Sequence, residues 1–247
     1  MTEIEKDLKK LLESEGEKTM VLALSAGIIA PEHEFSGPAD QQAIKELTEV
    51  DISQGNWKER FRAVDGDWPQ MYVQIGAEVG KPVTRGEAIA AYMQVFPKVY
   101  EAKGKPRLDG ARDFVEYCRT QRVRFGILSG QFGSIISGRY CVDGNLAVES
   151  MYIAGGVIPS SENNVRDAAY GVIGFAKNVS PLRNLVLVDG NDKRLAAAGN
   201  DEWRRELGLE QIVKIGVGDK WVTDDAALGK VVQVKYRSVK EMYEALR

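Results

Sequence analysis

The chain has 247 residues, 44% hydrophobic and 28% charged, with a formal net charge of -3. That length can bury one large core or a core with a modest inserted subdomain, and the composition excludes disordered and fibrous classes. The 33 Lys and Arg are spread along the chain rather than gathered in a run, which removes the footprint of a nucleic-acid binder, and the single histidine, His33, excludes sites that need two or more.

In chain order, Ile4, Leu8, Leu11 and Leu12 fall at helical spacing and predict an amphipathic helix over 2–15, ended near Gly16. Met20-Val-Leu-Ala-Leu24 is a short apolar run stopping at Ser25-Ala-Gly27, the pattern of a buried strand opening into a loop. From about Pro31 to Lys105, helix formers carry Trp57, Phe61, Trp68 and Tyr92, with breaks at Gly55, Gly66, Gly80 and Pro82. This predicts a mostly helical insertion, with Met71–Ile75 as its one strand candidate.

A helix over Leu108–Gln121 follows, then a strand over Val123–Leu128 that runs into Ser129-Gly130. Further strand candidates are Val148–Ile153, Leu185–Val188, Ile212–Val217 and Val231–Val234, with helical segments such as Glu202–Leu207 and a last helix over Val239–Leu246. Strands alternating with helices predict a three-layer, Rossmann-like α/β fold: a parallel sheet with helices on both faces. Ligands of such sheets bind at the carboxyl ends of the strands. The two cysteines, Cys118 and Cys141, make no disulfide framework and are read as reduced, in a cytoplasmic protein. No stretch approaches about 18 apolar residues and the charged N-terminal segment lacks a secretory core, so neither a membrane span nor export by that route is expected.

The segment from Arg107 to Arg119, followed by Arg122-Val-Arg-Phe-Gly-Ile-Leu-Ser-Gly130, resembles the haloacid-dehalogenase-like phosphatase superfamily. There a helix of this character leads to a strand ending in Ser or Thr, whose hydroxyl holds a phosphoryl oxygen. The resemblance gives Ser129 that role. Gly130-Gln-Phe-Gly133 is similar to the glycine-rich turn of the phosphoserine-phosphatase-like branch, so Gly130 joins the expected anion site. The resemblance places an α/β core at 1–31 and 105–247, and a helical cap insertion at 32–104.

Two acidic loops compete for the superfamily's metal-binding carboxylates. Asp219 to Asp224, after Ile212–Val217, fits the longer of two spacings, GDxxxxD; Asp189-Gly-Asn-Asp192 resembles the acidic loop of the phosphoserine-phosphatase-like branch. Either pair suits Mg²⁺, which takes one or two carboxylates plus waters and phosphate. A phosphate-steadying lysine normally precedes the acidic loop: Lys193 would serve the later one and Lys177 the earlier.

The first strand departs from the resemblance. The superfamily reads hhhhDxDGT there, the first aspartate attacking phosphorus and the second serving as acid and base. Here one register puts Leu24 and Ala26 at the two acids, the other Ser25 and Gly27, and neither supplies a carboxylate. Ser25 is a substitute nucleophile without an obvious activating base. Three readings stay open: a non-catalytic or impaired relative binding a small phosphorylated ligand or a protein partner, a working Mg²⁺-dependent phosphohydrolase with acids from elsewhere, and a structural subunit with an apolar-filled cleft.

Overall fold

The computed structural model describes residues 2–31, 34–104, 108–129, 151–155, 162–218 and 231–247. They divide into two compact units, one drawing on Met1–Ala30, Arg107–Gly156 and Ser161–Arg247, the other built on Pro31–Pro106.

The first unit holds six strands among the described residues: β1 (Thr19–Ala23), β2 (Arg124–Ser129), β3 (Met151–Gly155), β4 (Asn184–Asp189), β5 (Gln211–Val217) and β6 (Val234–Tyr236). Every pairing is parallel, in the order β3-β2-β1-β4-β5-β6. Both neighbours of β1 are central strands, and all five of its residues are buried. Chain order reverses direction across the sheet between β1 and β4. In an open parallel sheet that reversal opens a crevice at the strands' carboxyl ends, which is where such folds bind ligands.

Register between these two strands is anchored at the opposite end. Asn184 Nδ2 donates to Thr19 Oγ1 at 3.3 Å, and Thr19 Oγ1 donates to the Glu15 carbonyl at 2.7 Å. Both polar side chains are buried, and a slip by one residue would leave them unpaired.

Alternation along the strands sends side chains to two faces. Met20, Leu22 and Leu24 join Leu185 and Leu187 in a core that also takes Val165, Ala169 and Ile173, from α7 (Glu162–Val179), Leu195, from α8 (Asp192–Ala197), and Trp203, from α9 (Asp201–Glu206). The described helices α1 (Glu3–Ser14), α6 (Ala111–Thr120) and α10 (Val239–Leu246) pack with one another, and α6 also packs on β2, where Phe114 meets Phe125 edge-on at 6.1 Å. Gly110 caps α6 at φ 80°, and a Cβ there would sit 2.5 Å from the Lys240 Cα, so the close approach of α6 and α10 requires glycine. No helix among the described residues is long and apolar enough to cross a membrane.

The regular elements described in the second unit are four helices: α2 (Ser36–Thr48), α3 (Gln54–Ala63), α4 (Trp68–Glu78) and α5 (Arg85–Ala102). The strand expected at Met71–Ile75 is helix instead. Asp67 caps α4 by accepting from the Gln70 N–H, Pro69 sits in its first turn, and the buried residues Trp68, Met71, Tyr72 and Ile75 recur at helical spacing. Met71, Val73 and Ile75 alternate as a strand would, yet Met71 and Ile75 are also one helical turn apart. The strand expected at Val231–Val234 is likewise displaced, pairing over Val234–Tyr236. Trp57, Trp68 and Tyr100 are packing residues: Trp68 contacts Tyr72 and Tyr92, and Tyr100 contacts Phe35 and Phe96.

At the centre of this unit lies Asp40, 3% exposed, accepting from Tyr72 Oη at 2.8 Å and from Trp57 Nε1 at 3.1 Å. One carboxyl group therefore ties α2 to α3 and α4. Burial pushes its pKa from 3.8 up to about 7, against the two hydrogen bonds that favour the charged form. The folded unit thus prefers the protonated acid, and the stability gained from that preference is full below about pH 4 and lost as pH rises through about 7. Asp40→Asn, whose amide can accept from Trp57 and donate to the Tyr72 oxygen, is expected to flatten this dependence, which is on the order of 4 kcal/mol. Thermal denaturation of both chains across that range measures the difference.

Candidate functional site

The crevice between the carboxyl ends of β1 and β4 is built from a few residues. Leu24 continues β1, its N–H donating to the Val188 carbonyl at 3.0 Å, and its side chain is 2% exposed within the core beside Leu22 and Leu128. The chain then bends at Leu24 and Ser25. Ser25 Oγ donates to Asp189 Oδ1 at 3.1 Å, and both side chains are buried. Of the two registers the sequence allows, the one placing Ser25 at the first acid is the one that puts a polar side chain at this edge. The backbone then enters a short turn over Ala26–Ile28.

Asp189 closes β4, and the turn after it is tightly specified. The Asn191 N–H donates to Asp189 Oδ1 at 3.1 Å, while the Asn191 side chain caps α8 by accepting from the N–H groups of Lys193 and Arg194 at 3.0 and 3.3 Å. The cap starts the helix so that Arg194 folds back over the aspartate. Its Nε lies 2.7 Å from Asp189 Oδ2 and its Nη2 donates to Oδ1 at 3.4 Å. The Nε–H does not point along the shorter separation, so that contact is an ion pair rather than an aligned hydrogen bond.

The Asp189 side chain is 1% exposed and that of Arg194 25%. Burial pushes the Asp189 pKa up, opposed first by the Arg194 charge and then by hydrogen bonds from the Asn191 backbone, Ser25 and the Gly190 backbone. Desolvation dominates, and the guanidinium is the principal reason a carboxylate is tolerated here.

Ser129 ends β2, buried at 3% exposure. The β1–β2 register pairs Ala23 with Ile127, so two residues further on Ser25 and Ser129 stand level at the same edge. Lys193 is exposed on α8, and Asp192 is the first residue of that helix. Lys177 lies elsewhere. It is near the C-terminus of α7, where its ammonium donates to the Leu207 carbonyl at the amino-terminal side of β4 and β5. The sheet's length separates it from Asp189, because a residue shortly before a strand necessarily reaches that strand's amino end. Gly130, Asp219 and Asp224 lie outside the described residues. The strand leading toward Asp219, β5, pairs with β4 and not with β1.

Arg194 was missed in the sequence. The signal was there, since Asp189-Gly-Asn-Asp-Lys-Arg194 places a helix-capping Asn between the acid and a cation five residues on.

Mg²⁺ is the cofactor this kind of crevice suggests. The described side chains do not fit it: Asp189 already carries a guanidinium, and no group of three His, Cys, Asp or Glu able to hold a metal is found among the described residues.

No protein-family model matches the chain, and no curated protein matches it. Solved structures do. CbbY from Rhodobacter sphaeroides, in complex with phosphate, superposes with a TM-score of 0.62 at 16% identity, covering 91% of this chain and 96% of that one. What is shared is the fold. A haloacid-dehalogenase-like (HAD) hydrolase of family IA, variant 3, from Entamoeba histolytica matches with a TM-score of 0.56 at 12% identity over 92% and 99% of the two chains, and a hydrolase from Pseudomonas syringae with 0.55 at 14% over 92% and 97%. At these identities the likeness is one of architecture.

Removing the guanidinium should expose what it compensates. Arg194→Met is expected to lower stability by roughly 3 kcal/mol at neutral pH by leaving a buried carboxylate unpaired. The loss should shrink in acid, because a folded-state pKa raised further by the substitution favours the protonated form and stability falls as pH climbs through it. Urea denaturation at mildly acid and mildly alkaline pH reads both quantities.

Proposed function

We propose that this chain has lost phosphoaspartyl chemistry and binds a phosphate-type anion at the carboxyl edge of β1 and β4. The observation that carries the reading is the end of β1. Where a nucleophilic aspartate would be needed, Ser25 donates to Asp189 and Leu24 is packed in the core. The loss of a covalent nucleophile lowers turnover by roughly 10⁴-fold or more. Ser25 is not rescued as a nucleophile by its neighbour, since Asp189, the carboxylate it is hydrogen-bonded to, is ion-paired with Arg194.

What supports ligand binding is the set of groups that persists: the hydroxyls of Ser25 and Ser129 and the guanidinium of Arg194, with Gly130 and Lys193 assigned by the resemblance. Between the two acidic loops, Asp189 is preferred over Asp219 and Asp224, because β4 pairs directly with β1. The degenerate first strand is the part of the family pattern this reading depends on; the likeness to the phosphoserine-phosphatase-like branch is not needed for it. A working phosphohydrolase is the competing reading, supported by the fold shared with CbbY and the other hydrolases.

The two differ in one assay. The purified chain with millimolar Mg²⁺ is expected to hydrolyse p-nitrophenyl phosphate no faster than buffer, and Asp189→Asn is expected to leave that background unchanged. Turnover well above background that disappears in Asp189→Asn would establish the phosphohydrolase instead.

A further inference from the structure

We propose that Arg194 is a built-in cation: its guanidinium takes the place beside Asp189 that a divalent metal would need, so the crevice at the ends of β1 and β4 operates without metal. The inference rests on that crevice being the functional site, but not on the loss of turnover.

The first support is the commitment of the carboxylate. Oδ1 accepts from Ser25 Oγ, the Asn191 N–H and Arg194 Nη2, while Oδ2 faces Arg194 Nε at 2.7 Å. Both oxygens that could coordinate a cation are engaged by protein groups. A metal entering here would have to displace the guanidinium and overcome its like charge at a buried carboxylate, where charges are less screened than in water.

The second support is that the guanidinium is held by more than the ion pair. Asn191 caps α8 through the N–H groups of Lys193 and Arg194 itself, and the same residue's backbone N–H binds Asp189. One asparagine therefore sets the positions of acid and base together. The third is the composition of β1, which brings a hydroxyl to the carboxylate. Ser25 satisfies one carboxylate oxygen and leaves a single negative charge to balance, the amount one guanidinium supplies. A strand bringing a second carboxylate would leave the edge short of positive charge, which a divalent ion could supply.

The consequence for a ligand is that positive charge facing an oxyanion comes from a fixed side chain, independent of ambient metal. Mn²⁺, which substitutes for Mg²⁺ and is read directly by electron paramagnetic resonance, tests this on the full chain. The wild-type protein is expected to show no bound Mn²⁺ at millimolar metal, and Arg194→Ser to bind it roughly tenfold or more tighter, as expected when a neighbouring like charge is removed. Asp189→Asn in the Arg194→Ser background should abolish that gain. If Arg194→Ser is unfolded in chelator, recovery of its circular dichroism by Mg²⁺, but not by NaCl of equal ionic strength, is the same result.

Site-specific Mn²⁺ on the wild-type chain, lost in Asp189→Asn, overturns the inference. So does an Arg194→Ser variant that neither gains Mn²⁺ nor is rescued by Mg²⁺. Failure here is distinguishable from failure of the proposed function: bound metal without turnover ends the built-in cation alone, whereas Asp189-dependent turnover in chelator ends the ligand-binding reading alone.

Discussion

The carboxylate of Asp189 is the group around which the carboxyl edge of β1 and β4 is arranged. A charge buried at the end of a central strand is expensive, and the protein lowers that cost with a hydroxyl from β1, an amide from the following turn and a guanidinium from the next helix. Each donor comes from a different element, so the ion pair also states how those elements meet. The hydrogen bond between Thr19 and Asn184 performs the complementary task at the amino ends of β1 and β4. Between them lie hydrophobic residues that specify burial but not register. The two polar anchors supply what the apolar run cannot.

Much of the first unit was legible because its strands are short apolar runs stopped by Ser-Gly or Asp-Gly, and buried parallel strands have that appearance. β4 and β5 sit within a residue or two of expectation for this reason. Met71–Ile75 was misleading because period-two and period-four patterns coincide over so few residues. What separates them is the cap at Asp67 and the recurrence of buried residues from Trp68 onward.

At the site, the missing carboxylates of β1 could be read directly, but the register could not. The observed placement of the two side chains, with Leu24 in the core and Ser25 at Asp189, distinguishes the two alignments. Lys177 shows the opposite limitation: separation in sequence from an acidic loop carries no information about which end of a strand a side chain approaches. Arg194 escaped notice because a single arginine on a surface helix is ordinarily solvated. Its significance lies in the Asn191 cap, which turns a local helix start into a fixed geometry over a buried acid.

The Ser25–Asp189–Arg194 arrangement also constrains how this sequence can change over generations. Introducing an aspartate at Ser25 would set two carboxylates against one guanidinium at a buried edge, and one of them would have to take up a proton. Removing Arg194 first would strand Asp189 instead. Either order passes through an intermediate with unbalanced buried charge, so an aspartate-bearing strand is not reached one substitution at a time and the present edge resists that change.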